Sequence, residues 1–225
     1  IRFTRVARSL LFRTETVQVF ANSPDQWLDL VMSHEAKRAF LTYQPTDDPT
    51  FSDRMTAGLV GGGGEWNMLV QGKKGSDCWR AHWSVGNREA LDRRIWQVQY
   101  ALVAENQPPL ANGRLASTVI EDLGAALNGI GSFAREQAID GFANAFQLAQ
   151  KCLASDDPLA LVYHKDIAPR GAIGLSAARL LAAAQAAWVF GGMGSWNDLG
   201  FEGDTQKHYE QCSDRLFELL NESIC

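Results

Sequence analysis

The spacing of apolar residues changes once along this chain, near residue 106, and this change limits the possible folds more than any other feature. Before it, apolar and polar residues alternate in neighbouring segments, and a period of two is typical of strands with one buried face. We therefore expect an antiparallel sheet in the first part of the chain. Its inner face is predicted to bury four aromatic side chains against the helices that follow: Trp79, Trp83, Trp96 and Tyr100.

Local signals predict further elements in this first part. The segment Leu10–Phe20 is rich in β-branched and aromatic residues and predicts a strand. Ser23-Pro24-Asp25 predicts a helix start, because Ser is a good N-cap, Pro is favoured at the first helical position and an acid is favourable in the first turn. Gly72–Gly75 predicts a hairpin turn, and Gln44–Asp53 predicts a loop.

The second part of the chain has apolar residues at helical spacing. Thr118-Val-Ile-Glu121 fits a capping box, and Gly131 and Gly141 are expected to weaken or break the helical run. Leu159–Ala168 fits either a strand or an irregular segment. Two further helices are predicted, over Ser176–Phe190 and about Thr205–Ser223.

Together these patterns predict an α+β fold, with an N-terminal antiparallel sheet and one helix packed on a C-terminal bundle of about four helices. We expect a single domain over residues 1–225. Residues 1–105 are predicted to be mainly strands plus one helix, and residues 106–225 mainly helical. Because the sheet has one apolar face and the helices have apolar stripes, the two parts are expected to share one core.

Composition narrows the classes of function. The net charge of −5 disfavours a nucleic-acid partner, which would need clustered Lys and Arg. The longest apolar run is too short to span a bilayer, so no membrane partner is expected. The four cysteines lack metal-ligand spacing and fit reduced thiols in a cytoplasmic protein: Cys78, Cys152, Cys212 and Cys225.

The most unusual stretch of the chain is Trp188-Val-Phe-Gly-Gly-Met-Gly-Ser-Trp-Asn-Asp198, where glycines follow an alanine-rich helix. One interpretation is structural, with a Gly helix cap followed by a Ser195 or Asn197 N-cap. The other is an exposed loop that presents polar groups to a partner. On that second interpretation the candidate binding residues are Ser195, Trp196, Asn197, Asp198 and His208.

Complete catalytic motifs are not recognised. Ser195 lacks the Gly-x-Ser-x-Gly pattern of a nucleophile elbow. Gly61–Gly64 is followed by Glu65 rather than by the Lys-Ser/Thr pair of a phosphate loop, and predicts a hairpin tip or lid. His164 and Asp166 have the spacing of two metal ligands but would need a third from elsewhere. We expect no metal, no cofactor and no catalytic residue.

The stretch from Ala187 to Asp198, followed by an acidic loop and a Tyr-containing last helix, resembles the C-terminal end of uncharacterised bacterial proteins. Some of these resemble immunity proteins of toxin–antitoxin systems. The resemblance implies a non-catalytic binding protein that occludes the active site of a toxin, and mild acidity suits a toxin with a basic face. The alternative is a small hydrolase or transferase with a cleft between sheet and helices, using Ser195, Asn197, Asp198 and His208.

Overall fold

A computed structural model describes residues 1–8, 15–46, 50, 52–108, 113–168 and 171–225 of the chain. The chain divides into two compact units. The sheet unit comprises Ile1–Asp47 and Val60–Ala111, and the helical unit comprises Asp48–Leu59 and Asn112–Cys225. The segment 48–59 thus lies between two parts of the sheet unit in sequence but belongs to the helical unit. The prediction of one core shared by both parts stays a prediction.

The sheet unit contains a six-stranded sheet, counted over the described residues, in the order β2-β1-β6-β5-β4-β3. β1 pairs parallel with β6, and the other pairs are antiparallel. The sheet is therefore mixed, and the prediction of an antiparallel sheet was wrong at this pair. Alternating residues show which side chains share a face but carry no information on strand direction. The strands are β1 (Arg2–Arg8), β2 (Glu15–Ala21), β3 (Arg38–Gln44), β4 (Glu65–Gln71), β5 (Ser76–Val85) and β6 (Trp96–Gln107).

Helix α1 (Pro24–Ser33) covers part of one sheet face. Its N-terminus has the predicted chemistry, since the Ser23 side chain accepts a hydrogen bond from the Gln26 N–H. Trp27 of α1 packs edge-on against Trp79 of β5, with ring centroids 5.9 Å apart. Trp79 is only 2% exposed and lies in the core cluster of this unit. The sheet unit therefore has an aromatic core of its own.

The predicted burial of the other strand tryptophans was wrong. Trp83 is 47% exposed and Trp96 is 43% exposed, although their rings contact each other at 6.5 Å. Trp83 lies four residues beyond Trp79 on the same strand and belongs to the same alternating set. Trp27 of α1 lies in the core cluster around Trp79, whereas Trp83 and Trp96 do not. Alternation thus identified the face, but burial depends on how far the covering helix extends.

The helical unit is built from long helices with apolar stripes, as predicted. α3 continues through Gly131 without a break and ends before Gln137. The predicted capping box at Thr118 was wrong, because the N-cap is Leu115 and no side chain caps the helix. The described helices are α1, α2 (Asp53–Thr56), α3 (Ala116–Glu136), α4 (Asp140–Ala154), α5 (Leu175–Ala187) and α6 (Gly203–Ile224), with short 3₁₀ turns at Pro158–Leu161 and Trp196–Asp198.

The α+β character of the prediction holds. Two other predictions concern single segments. Residues 15–20 of the predicted first strand lie in β2, whereas residues 10–14 lie outside the described residues. The segment from Leu159 is irregular after one 3₁₀ turn rather than a strand. In the described part of the chain, no helix has the length and apolar character needed to cross a membrane.

Candidate functional site

The glycine-rich stretch forms a loop after α5 rather than a helix cap. α5 ends at Ala187, and its C-cap residue Trp188 has a φ of −74°. The positive φ values come later, at Gly191 (+88°), Gly192 (+87°) and Gly194 (+76°). Such angles are accessible to glycine at little cost and strain other residues. The glycines therefore allow the chain to fold back, and the Trp196 N–H closes the loop on the Val189 carbonyl at 3.0 Å.

Gly191 has a second reason to be glycine. A Cβ atom built on Gly191 would lie 2.5 Å from the Cα of Gly58, and one built on Gly58 would lie 2.6 Å from the Cα of Gly191. The two backbones thus cross at a distance that no side chain permits. This contact holds the α2 segment against the glycine loop, both within the helical unit.

Asp198 stabilises the loop from within. Its Oδ2 accepts hydrogen bonds from the N–H groups of Gly194 (2.5 Å) and Ser195 (3.0 Å). A carboxylate in this position satisfies backbone donors at the start of the 3₁₀ turn. The Oγ atom of Ser195 is shielded from solvent. The structural interpretation of the sequence therefore accounts for Asp198, although the cap serves a 3₁₀ turn rather than a long helix.

Trp196 is fully buried at the centre of the aromatic core of the helical unit. Its indole N–H donates to the Oγ of Ser213 at 2.7 Å, and its carbonyl accepts from the Tyr209 hydroxyl at 2.5 Å. Phe142 and Phe146 pack edge-on against the ring, with centroids 5.2 and 5.3 Å away. The Trp196 side chain therefore anchors the loop in the core and is not presented at the surface.

Asn197 connects the loop to α2 through a residue that the sequence interpretation did not single out. The Asn197 Oδ1 accepts from Arg54 Nη1 at 2.8 Å, and its Nδ2 donates to the Arg54 carbonyl at 2.7 Å. Arg54 is only 5% exposed, and its Nε donates to Asp214 at 2.7 Å. Its guanidinium also lies 5.6 Å from the ring centroid of Tyr209. Nothing in the local sequence distinguishes Arg54, because Asn197, Asp214 and Tyr209 are at least 143 positions away.

His208 lies exposed on α6, with its ring 5.2 Å from the ring of Phe133. Asp198 bonds to the backbone N–H of Ser195, but among the described residues no hydrogen bond joins the His208 side chain to Ser195 or to Asp198. The structure thus brings the loop residues and α6 to the same end of the helical unit. It assigns their described hydrogen bonds to the backbone and to Arg54 rather than to a catalytic relay.

The charge of the protein is unevenly divided between the two units. The sheet unit has 12 Lys and Arg residues and 10 Asp and Glu residues, whereas the helical unit has 9 and 16. The overall charge of −5 therefore conceals a nearly neutral, slightly basic sheet unit and a strongly acidic helical unit. Acidic surface that is confined to one unit can orient an approaching cationic partner.

Several of these acids gather at the end of the helical unit where the candidate loop lies. Phe133 near the end of α3 contacts Phe201 and His208 at 5.2 Å, and Phe142 at the start of α4 contacts Trp196 at 5.2 Å. The end of α3, the start of α4, the loop and the start of α6 are therefore neighbours. We call the exposed carboxylates on these segments the acidic end: Glu136, Asp140, Asp198, Glu202, Asp204 and Glu210.

Two cations lie on the same segments, Arg135 and Lys207. Lys207 pairs with Asp204 at 2.9 Å. The acidic end therefore keeps an excess of negative charge at the surface. Sequence reasoning missed it, because Glu136 and Glu202 are far apart in sequence and only the packing of Phe133 brings their segments together.

His164 and Asp166, whose spacing fits two metal ligands but which were not expected to hold a metal, lie in an exposed irregular segment. Over the residues that the structure describes, His, Cys, Asp and Glu side chains form no group of three or more that could hold a metal ion. Comparisons with protein-family models, with curated proteins and with solved structures found no match to this chain.

Proposed function

We propose that this chain is a non-catalytic bacterial binding protein, an immunity protein that acts in the cytoplasm and neutralises a toxin by occluding its active site. The observation that carries the proposal is the acidic end of the helical unit, which is exposed and built on a well-anchored loop. Toxins that act on anionic substrates have basic active-site faces. An acidic surface of matching shape speeds encounter with such a face and competes with the substrate.

The anchoring of the loop supports this proposal. Trp196 in the core, Asn197 on Arg54 and Asp198 on the loop N–H groups fix the backbone between α5 and α6. A surface that is rigid before binding loses less conformational entropy when it binds. In this proposal Trp196 and Asn197 position the surface, whereas the carboxylates of the acidic end and the exposed His208 contact the toxin.

The proposal predicts a specific genetic and biochemical partner, the secreted effector encoded directly upstream in the native host. Cells that produce the toxic domain of this effector should survive only when this protein is co-produced. The two purified proteins should form a complex by size-exclusion chromatography, and calorimetry should show weaker affinity as salt concentration rises.

A set of charge variants locates the contact. Neutralising Glu136, Asp140, Glu202 and Asp204 together, as Gln or Asn, should weaken the complex by at least about tenfold, since exposed pairs contribute up to about 1 kcal/mol each. The matched control neutralises two Glu and two Asp elsewhere in the helical unit: Glu121, Glu218, Asp157 and Asp166. Equal losses in both sets would argue against the acidic end. Undiminished killing by the effector when this protein is co-produced would overturn the proposed function.

A further inference from the structure

The sheet unit contains a cavity that the proposed function does not use. Its volume is about 460 Å³, within the range of about 300–1,000 Å³ typical of small-molecule sites. Apolar side chains from five elements form part of its lining: Phe20 of β2, Val31 of α1, Val70 of β4, Trp79 of β5 and Leu102 of β6. Two of these are aromatic, which favours a ligand with a flat apolar group.

The cavity is bounded by contacts that give it a defined shape. At one side the β4–β5 turn approaches the end of β6 so closely that a Cβ atom on Gly75 would lie 2.7 Å from the carbonyl carbon of Asn106. At the mouth, Lys73 of the turn forms an ion pair with Glu35, just beyond α1. Both contacts join residues that line the cavity. The shape of the cavity is therefore maintained by specific contacts between the residues that line it.

Besides Lys73 and Glu35, four charged side chains line the cavity and have no ion-pair partner among the described residues. The cations are Arg5, which stacks over the Phe20 ring at 5.7 Å, and Lys74 in the turn. The anions are Glu105 and Asp77, whose Oδ1 accepts a hydrogen bond from the Asn106 N–H. A purely anionic ligand would lie beside two carboxylates, and a purely cationic ligand beside Arg5 and Lys74. Only a ligand with both charges is complementary to all four groups.

We propose that this cavity binds a free amino acid with an aromatic side chain. The side chain lies against Phe20 and Trp79, the α-carboxylate faces Arg5 and Lys74, and the α-ammonium faces Asp77 and Glu105. The proposal concerns the sheet unit alone and does not depend on toxin binding.

Three ligands with the same side chain test the charge requirement. L-Phenylalanine, L-phenylalaninamide and N-acetyl-L-phenylalanine are titrated into the full chain and followed by two-dimensional ¹H–¹⁵N NMR, including the indole N–H of Trp79. We expect saturable shifts with phenylalanine. Binding should be about fivefold weaker for the amide, which lacks the carboxylate, and for the N-acetyl compound, which lacks the ammonium.

Two conservative variants test the residues. Lys74→Gln and Asp77→Asn should each weaken phenylalanine binding by about fivefold. Their matched controls, Lys37→Gln and Glu89→Gln, remove exposed charges outside the cavity and should stay within about twofold of the unmodified chain. Circular dichroism establishes that each variant is folded.

Three results would overturn the proposal. The first is the absence of saturable shifts with phenylalanine in the folded chain. The second is equal affinity for phenylalanine and its N-acetyl derivative, which would mean that the ammonium is not recognised. The third is unchanged affinity in both cavity variants, which would place the binding elsewhere.

Discussion

Trp196 of the helical unit and Trp83 of the sheet unit differ in burial. In the helical unit, Trp196 is enclosed on all sides by aromatic rings and two hydrogen-bond partners, and none of it is exposed. In the sheet unit, Trp79 is equally enclosed, but Trp83 four residues along the same strand is half exposed. The position of a residue in an apolar pattern therefore does not decide its burial. Burial requires a second element over that position.

The largest expected effect of this difference in burial is on the free energy of unfolding when each side chain is truncated to alanine. Trp196→Ala should lower the free energy of unfolding by about 3–5 kcal/mol, because it leaves a cavity and removes the partner of the Ser213 hydroxyl. Trp83→Ala should cost about 1 kcal/mol or less, since half of its side chain already contacts water. Urea denaturation of both variants measures the two values.

The matched control for Trp83→Ala is Trp79→Ala, because the two residues lie on the same strand and the same face of the sheet. It should resemble Trp196→Ala because Trp79 is only 2% exposed. A loss above about 3 kcal/mol for Trp83→Ala would mean that its exposed ring is covered in solution, and the contrast between Trp196 and Trp83 would fail.

Short-range sequence signals predicted the elements that are determined locally. The Ser23 cap, the Gly72–Gly75 turn and strands β5 and β6 were each predicted from residues a few positions apart, and the structure confirms them. β1 and β3 were missed. β1 lies in the interior of the sheet only because it pairs parallel with β6, whose sequence lies about a hundred residues away.

The candidate loop shows the same limit. Its unusual composition was visible in the sequence, but the reason for Gly191 lies in Gly58, and the reason for Asn197 lies in Arg54. These partners are separated by more than a hundred positions, and a single sequence contains no signal that pairs them. The helix end was also misplaced, because α5 stops at Ala187 before the glycines begin.

A second test compares two glycines, one at a position packed against another backbone segment and one at an open position. Gly191 and Gly192 have nearly equal φ values, +88° and +87°, but a Cβ atom would meet another backbone only at Gly191 and not at Gly192. Gly192→Ala should cost about 1 kcal/mol for the strained φ alone, whereas Gly191→Ala should cost about 2–4 kcal/mol by thermal or urea unfolding.

Gly58→Ala isolates the steric part of this effect, because its Cβ would meet Gly191 and its φ is not positive. It should destabilise by about 1–3 kcal/mol. Equal values for Gly191→Ala and Gly192→Ala would show that the crossing of the two backbones is looser than the structure has it.

Buried and exposed side chains should also differ in how they make the free energy of unfolding depend on pH, and a buried tyrosine provides the test. Burial raises the pKa of Tyr209, and the charge of Arg54 offsets only part of this rise. Above about pH 10 an unfolded tyrosine loses its proton while native Tyr209 keeps it. The unfolded state then binds fewer protons, so the free energy of unfolding falls with rising pH, by at most about 1.4 kcal/mol per pH unit for one group.

Tyr209→Phe should therefore show a shallower fall in unfolding free energy above pH 10 than the unmodified chain. Tyr163→Phe, at an 88% exposed position, is the matched control and should keep the original slope. Urea titrations at several pH values measure the slopes. Identical slopes in both variants would indicate that Tyr209 reaches solvent in the native state.

Asp198 is the intermediate case, an exposed residue whose carboxylate nevertheless serves the loop. Asp198→Asn keeps the shape and one acceptor but removes the charge that binds two N–H groups, so it should cost about 0.5–1 kcal/mol in stability. Under the binding proposal, affinity for the toxin should fall modestly and no turnover should be lost.

The alternative of a hydrolase or transferase is tested by assaying the unmodified chain and the Asp198→Asn variant with ester, phosphate and nucleotide substrates. Clear turnover by the unmodified chain, abolished in a stably folded Asp198→Asn variant, would refute the binding proposal, and Asp198 and His208 would then be the first candidates for an acid–base pair.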